Sequence, residues 1–181
     1  MQSELLATKA RERAVRRSVE IYGKQFTYFE YPSSLEKAET IVMIHGYRGN
    51  HHGLEAIAAG LDRFQVLIPD LPGFGESPEL EATHNLESYS EWLKVFLERL
   101  GLSGSCHLVG HSFGSLVVGL YATKNQCKSI TLINPVSAPA LSGPRALLTQ
   151  LTSLFYYFSK SLPEKLGGLV LRSPLAVMVM S

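Results

Sequence analysis

Residues 106–118, Cys106-His107-Leu108-Val109-Gly110-His111-Ser112-Phe113-Gly114-Ser115-Leu116-Val117-Val118, set one serine between two glycines where a strand-like run gives way to a helical one. His107-Leu108-Val109 reads as a short strand buried on both faces, and from Ser115 to Thr123 the apolar Leu116, Val117, Leu120 and Tyr121 recur at helical spacing. Strand, G-x-S-x-G and helix in that order describe a sharp turn that presents a serine side chain. Gly110 and Gly114 stand where a Cβ would collide with neighbouring backbone. Ser112 is the candidate nucleophile. A Gly-rich turn that serves packing alone has the same local pattern, so the decision rests on what surrounds it.

Upstream, Thr40-Ile41-Val42-Met43-Ile44 is a second buried-strand run, ending in His45-Gly46-Tyr47-Arg48-Gly49-Asn50. A third, Phe64-Gln65-Val66-Leu67-Ile68-Pro69, leads into Asp70-Leu71-Pro72-Gly73-Phe74-Gly75-Glu76-Ser77. With a strand followed by HG-x-x-G, a D-x-x-G-x-G-x-S loop and a G-H-S-x-G turn in this order, the chain resembles the α/β-hydrolase family over roughly residues 18–135. The resemblance implies a serine enzyme with backbone N–H groups forming an oxyanion hole. Phe113 supplies one, and Tyr47 the other, with Arg48 the alternative. Gly46 then lets the backbone approach the substrate, and His45 supports that loop. Asp70 is expected to hold its own turn by accepting backbone N–H groups rather than to serve as the catalytic acid. His111, adjacent to the nucleophile on a sharp turn, is expected to pack near the sheet.

The remaining pattern predicts an α/β fold. Met1 to Arg17 reads as a basic helix carrying Lys9, Arg11, Arg13, Arg16 and Arg17, and residues 18–31 alternate around Gly23-Lys24 as a β-hairpin. Strands at 40–45, 64–69, 105–109 and 129–134 then alternate with helices near 53–62, at 86–100 and after the serine turn. A doubly wound, mostly parallel sheet follows, with the hairpin as its antiparallel edge. Such sheets bind ligands beyond the carboxyl ends of their strands, where His45, Asp70, Ser112 and Asn134 all fall. The expected organisation is a leading helix over 1–17, a hydrolase core over 18–135, and the start of a helical cap over 136–181. In the cap, Leu147, Leu148, Leu151, Leu154, Phe155 and Phe158 recur at helical spacing.

The balance of residues is that of an ordinary globular domain: 45% hydrophobic, 18% charged, formal net charge +1 and mean hydropathy +0.07. Nothing in it points to nucleic acid. Cys106 and Cys127 suggest neither a disulfide framework nor a metal site, and no cofactor is implied. The N-terminus lacks the apolar core of a signal peptide, no run reaches the ~20 apolar residues of a membrane span, and cytoplasmic residence without membrane contact is the expectation. Oligomeric state is left open.

The family's catalytic order is serine, then an acid, then a late histidine. No histidine follows His111, the only aspartates are Asp62 and Asp70, and Glu164 is the only acid after Glu98. Neither triad partner can be assigned, and the expectation is an N-terminal portion of a longer hydrolase. A self-sufficient alternative would recruit a base from His45, His51, His52 or His84. The activity expected is hydrolysis of a small or hydrophobic carboxylic ester through an acyl-enzyme on Ser112, weak in the 181-residue chain. C–C bond hydrolase, aminopeptidase, thioesterase and lactonase chemistry remain open within the family. A ligand-binding member without catalysis is the reading from another class.

Overall fold

Alternation along the central strands divides the apolar side chains between two cores, one on each face of a six-stranded sheet. The computed structural model describes residues 2–136. The 136–181 cap expectation, apart from Val136, lies outside the described residues. The strands are β1 (Val15–Ile21), β2 (Lys24–Tyr31), β3 (Thr40–Ile44), β4 (Gln65–Pro69), β5 (His107–His111) and β6 (Ser129–Ile133), and the helices are α1 (Gln2–Arg13), α2 (Glu55–Ala59), α3 (Leu86–Arg99) and α4 (Phe113–Ala122). The sheet order is β1-β2-β4-β3-β5-β6, antiparallel through β1, β2 and β4 and parallel from β4 through β6. Val42 and Ile44 join Trp92, Leu93, Phe96, Val117 and Val118 in the core under α3 and α4. Ile41 and Met43 point the other way, to Ala10, Leu54, Ala58, Val66 and Ile68.

Helix α3 shows why the local sequence suffices. Tyr89, Trp92, Leu93, Phe96 and Leu97 fall at the 3- and 4-residue spacing of one helix face, and all are buried. Each such side chain contributes about 1.5–3 kcal/mol on burial. Asn85 caps the start by accepting the Ser88 N–H, and Gly101 at φ +67° ends it, with the Leu102 N–H returning to the Leu97 carbonyl.

The first helix stops earlier than its charge pattern predicts. It ends at Arg13, and Arg16 and Arg17 belong to β1, where they bond Glu76 and Glu30 respectively. The reason is tertiary: the edge of the sheet takes Val15 into register with Glu30, so pairing overrides helical preference. Nor is the helix fully solvated: Ala10 is buried and Arg11 binds Glu55 of α2 at 2.6 Å. The hairpin turn is Tyr22-Gly23, both at positive φ, one residue earlier than expected and suited to the twist of a two-residue turn. The expected helix at 53–62 is a 3-10 turn over His51–Leu54 followed by the short α2. Strand β5 runs two residues further than expected because Gly110 and His111 continue the ladder with Ile44 and Ile133. Cys106 is buried, but Cys127 is only partly so. No helix among the described residues is long and apolar enough to cross a membrane.

Candidate active site

The chain leaves β3 to build β4 on one side and then returns to build β5 on the other, so a crevice opens between the carboxyl ends of β3 and β5. The two glycine-bearing loops meet there. A Cβ on Gly46 would lie 3.2 Å from the Ser112 Cβ and 3.3 Å from His111 Nδ1, which places the β3 loop directly against the β5–α4 turn and His111 beside it. Gly114 allows this contact, since its Cβ would fall 2.7 Å from the His45 carbonyl oxygen and closer still to that of Ile44. Gly110 is equally restricted, its Cβ position lying 2.7 Å from the Ser115 Cα.

Ser112 occupies the turn at φ +51°, ψ −116°, outside the wells that non-glycine residues ordinarily adopt. It precedes α4 in the capping position, yet its side chain caps nothing. Its backbone is held from both sides: the N–H donates to Ile133 of β6 at 3.0 Å and the carbonyl accepts the Ser115 N–H at 2.9 Å. Among the described residues, the N–H groups of Tyr47, Arg48 and Phe113 have no hydrogen-bond acceptor. The Phe113 group sits at the start of α4, where unpaired N–H groups and the helix dipole favour negative charge. Tyr47 and Arg48 form the middle of a turn closed by Gly49 N–H to Gly46 C=O at 3.0 Å, with Arg48 at φ +60°.

His45 is almost wholly buried and joins two loops. Its Nε2 accepts the Leu71 N–H at 2.9 Å, so the ring proton resides on Nδ1 and is donated to the Gly46 carbonyl at 2.8 Å. Burial pushes its pKa below the ordinary histidine value, keeping the ring neutral. Asp70 is the counterpart at the end of β4. Its Oδ2 accepts the Glu76 N–H at 2.9 Å, and its Oδ1 accepts the His51 N–H at 2.8 Å and the His51 Nδ1–H at 2.9 Å. Burial opposes its charge, but the bond from the His51 ring and the two backbone N–H bonds outweigh that cost, leaving the carboxyl below the usual aspartate range. Gly75, at φ +54°, is required because a Cβ would enter the Asp70 carboxylate. Ser77 completes the loop, accepting the Thr27 N–H at 3.1 Å.

The structure thus gathers His45, Gly46, Tyr47, Ser112 and Phe113 at one crevice, with Asp70 bracing the loop behind. His51, a candidate substitute base, is committed to Asp70 and stacked on Phe29 with ring centroids 3.4 Å apart. His52 is bonded to Glu55 at 2.8 Å, and His84 to the Tyr89 hydroxyl at 2.8 Å. A cavity of about 250 Å³ beside Phe113 is lined by the apolar and aromatic side chains of Tyr47, Phe74, Leu86 and Tyr89 and by the polar Glu79, His84 and Asn85. Its rings pack edge to face, Tyr47 on Phe74 at 5.5 Å and Tyr89 on Phe113 at 5.3 Å. Sequence reasoning did not foresee Phe74 and Tyr89 as lining residues. Phe74 lies between the two glycines of the Asp70 loop, which is the available signal, whereas Tyr89 reads only as part of the buried face of α3.

His51, His52 and Glu55 bring donor atoms within 4.8 Å of one another, a grouping the sequence reading did not anticipate. Arg11 already neutralises Glu55, and the Nδ1 atoms of both histidines are engaged with carboxylates, so the arrangement reads as a hydrogen-bonded brace between α1 and α2.

A family model described as alpha/beta hydrolase fold matches residues 39–173. Lipase 1 of Psychrobacter immobilis is 32% identical over 112 residues, covering 60% of this chain and 35% of that protein. Lipase 3 of Moraxella sp. (strain TA144) is 30% identical over 112 residues, covering 60% and 36%. The chain spans little more than a third of the length of these curated relatives. A solved bacterial membrane phospholipase A, 24% identical, superposes with a TM-score of 0.69 over 99% of this chain and 67% of that one, a likeness of fold.

Proposed function

This chain belongs to the α/β-hydrolase family, and we propose that Ser112 is the nucleophile of an ester hydrolase within it. Oγ attacks the carbonyl carbon of a carboxylic ester, the N–H groups of Tyr47 and Phe113 receive the oxyanion, and the alcohol departs with a proton. Water then cleaves the acyl-enzyme, releasing the acid and restoring Ser112. The similarity to two lipases supports ester substrates. The aromatic cavity beside Phe113 supports a small or hydrophobic group on the substrate. Cytoplasmic residence belongs to the same proposal.

The observation that carries the reading is the state of Ser112 itself: a non-glycine residue in a strained conformation, with a hydroxyl that caps no helix, against a loop whose N–H groups have no acceptor among the described residues. Structure alone gives no reason for a serine there. The proton leaving Oγ needs a histidine with an orienting acid, and neither is assigned in this sequence. Turnover of p-nitrophenyl esters by the 181-residue chain is therefore expected to be weak.

The test is a fluorophosphonate probe with the modified peptide located by mass spectrometry. In a form of the protein that also carries the histidine and the acid, labelling at Ser112 that is absent from Ser112→Ala is the expected result. Equal labelling of the variant removes the nucleophile assignment, and vigorous Ser112-dependent ester turnover by this chain removes the expectation of weak activity.

A further inference from the structure

A second cavity, about 490 Å³ and nearly twice the volume of the aromatic one, opens between the β1–β2 hairpin, the 79–82 loop and the first two turns of α3. That volume lies within the range of small-molecule sites. Ser112 does not line it. Phe26 lies at its apolar wall, almost fully buried, with Leu80 and Ala82 beside it and the exposed ring of Tyr22 at the hairpin tip. Against these apolar groups stand four carboxylates, Glu79, Glu81, Glu87 and Glu91, and a single cation, Lys24.

The ion pairs leave this site negative. Lys24 is committed to Glu81 at 3.4 Å and to the Glu79 carbonyl at 3.1 Å, which also fastens the loop to the hairpin. Glu91 has Lys94 at 3.2 Å. Glu79 and Glu87 enter no ion pair among the described residues. The Tyr22 hydroxyl records the same field: burial and then the Glu91 carboxylate push its pKa up. An anionic ligand would meet repulsion here, and a purely apolar one would leave the carboxylates unanswered.

We propose that this cavity binds a cationic amphiphile, an amine or quaternary ammonium on an apolar body. The apolar part rests on Phe26 and Leu80. The cation lies among Glu79, Glu87 and Glu91, with the face of Tyr22 available to it as a π partner. The proposal does not rest on ester hydrolysis, since neither Ser112 nor Phe113 lines this cavity, although Glu79 borders both it and the aromatic cavity.

Trp92, the only tryptophan in the chain, lies behind the wall with its ring centroid 5.5 Å from that of Phe26, so its emission reports on occupancy. The chain is titrated with decyltrimethylammonium below its micellar concentration, and with decyl sulfate as the anion of equal tail length. The expected result is a saturable change in Trp92 emission with the cation, weakened about tenfold or more in Glu79→Gln/Glu87→Gln. Both substitutions lie at exposed positions, and an unchanged thermal midpoint verifies the fold. Saturation by decyl sulfate at the same concentration, full affinity in the double variant, or no saturable response to the cation would each overturn it.

Discussion

Strands β3 and β6 carry similar sequences, Thr-Ile-Val-Met-Ile and Ser-Ile-Thr-Leu-Ile, and meet opposite fates. All five residues of β3 are buried between β4 and β5, whereas on β6 Ile130 and Leu132 remain 44% and 39% exposed. Among the described residues β6 pairs only with β5. An apolar strand pattern thus specifies a need for cover, and sheet position decides whether the cover is there. The same division runs through the site. On the β3–β4 side His45, Asp70, His51 and Ser77 tie the loops with buried hydrogen bonds, while on the β6 side, beyond the β5–β6 ladder and among the described residues, the turn and the start of α4 are tied by Ser112 N–H to Ile133 and by Val136 N–H to the Ser115 hydroxyl at 3.4 Å.

The sharpest way to break this contrast is at the contact between β3 and the serine turn. Gly114→Ala drives a Cβ into the Ile44 and His45 carbonyls and is expected to destabilise by about 4 kcal/mol in denaturant unfolding. Gly119→Ala in the same helix, with open space at that position, should stabilise by up to about 1 kcal/mol. Next come paired truncations of the two strands. Ile44→Ala in β3 should cost about 3 kcal/mol and Ile130→Ala in β6 less than about 1 kcal/mol. Equal costs would mean that β6 is covered as β3 is.

A smaller effect is set by pH. His45 is held neutral in the fold, so the unfolded chain binds the extra proton as pH drops below about 6.5. Its contribution is present above that value and lost below it, at no more than about 1.4 kcal/mol per pH unit. His45→Gln should flatten the stability profile between neutrality and about pH 5. Asp70 acts in a lower window: its carboxylate stabilises the fold above about pH 3.8 and the benefit fades as pH falls further. Smallest is Lys128→Ala, which removes the exposed contacts of Lys128 with Glu39 between the starts of β6 and β3. No measurable change in thermal midpoint is expected.

What was legible in the sequence follows the range of the forces involved. The serine turn, the buried strands and α3 were readable because a period of two, a period of three to four and the G-x-S-x-G spacing are local features. The end of α1 was not, because Arg16 and Arg17 look like more of a basic helix until the edge of the sheet pairs with them. The clasp of His51 on Asp70 joins residues 19 apart through the packing of two loops, and no local pattern encodes it. Tyr89 illustrates the same limit, since its helical spacing predicts burial but not that its ring meets Phe113 beside the serine.

The strained backbone at residue 112 has an evolutionary corollary. At residues 23, 73, 75, 101 and 104 the chain meets a positive φ with glycine, the residue that adopts it without strain. A screen that rewards heat resistance alone should therefore enrich Ser112→Gly and, in doing so, discard the hydroxyl. Directed improvement of this protein would need to select for reactivity and robustness together, because at this one position they favour different residues.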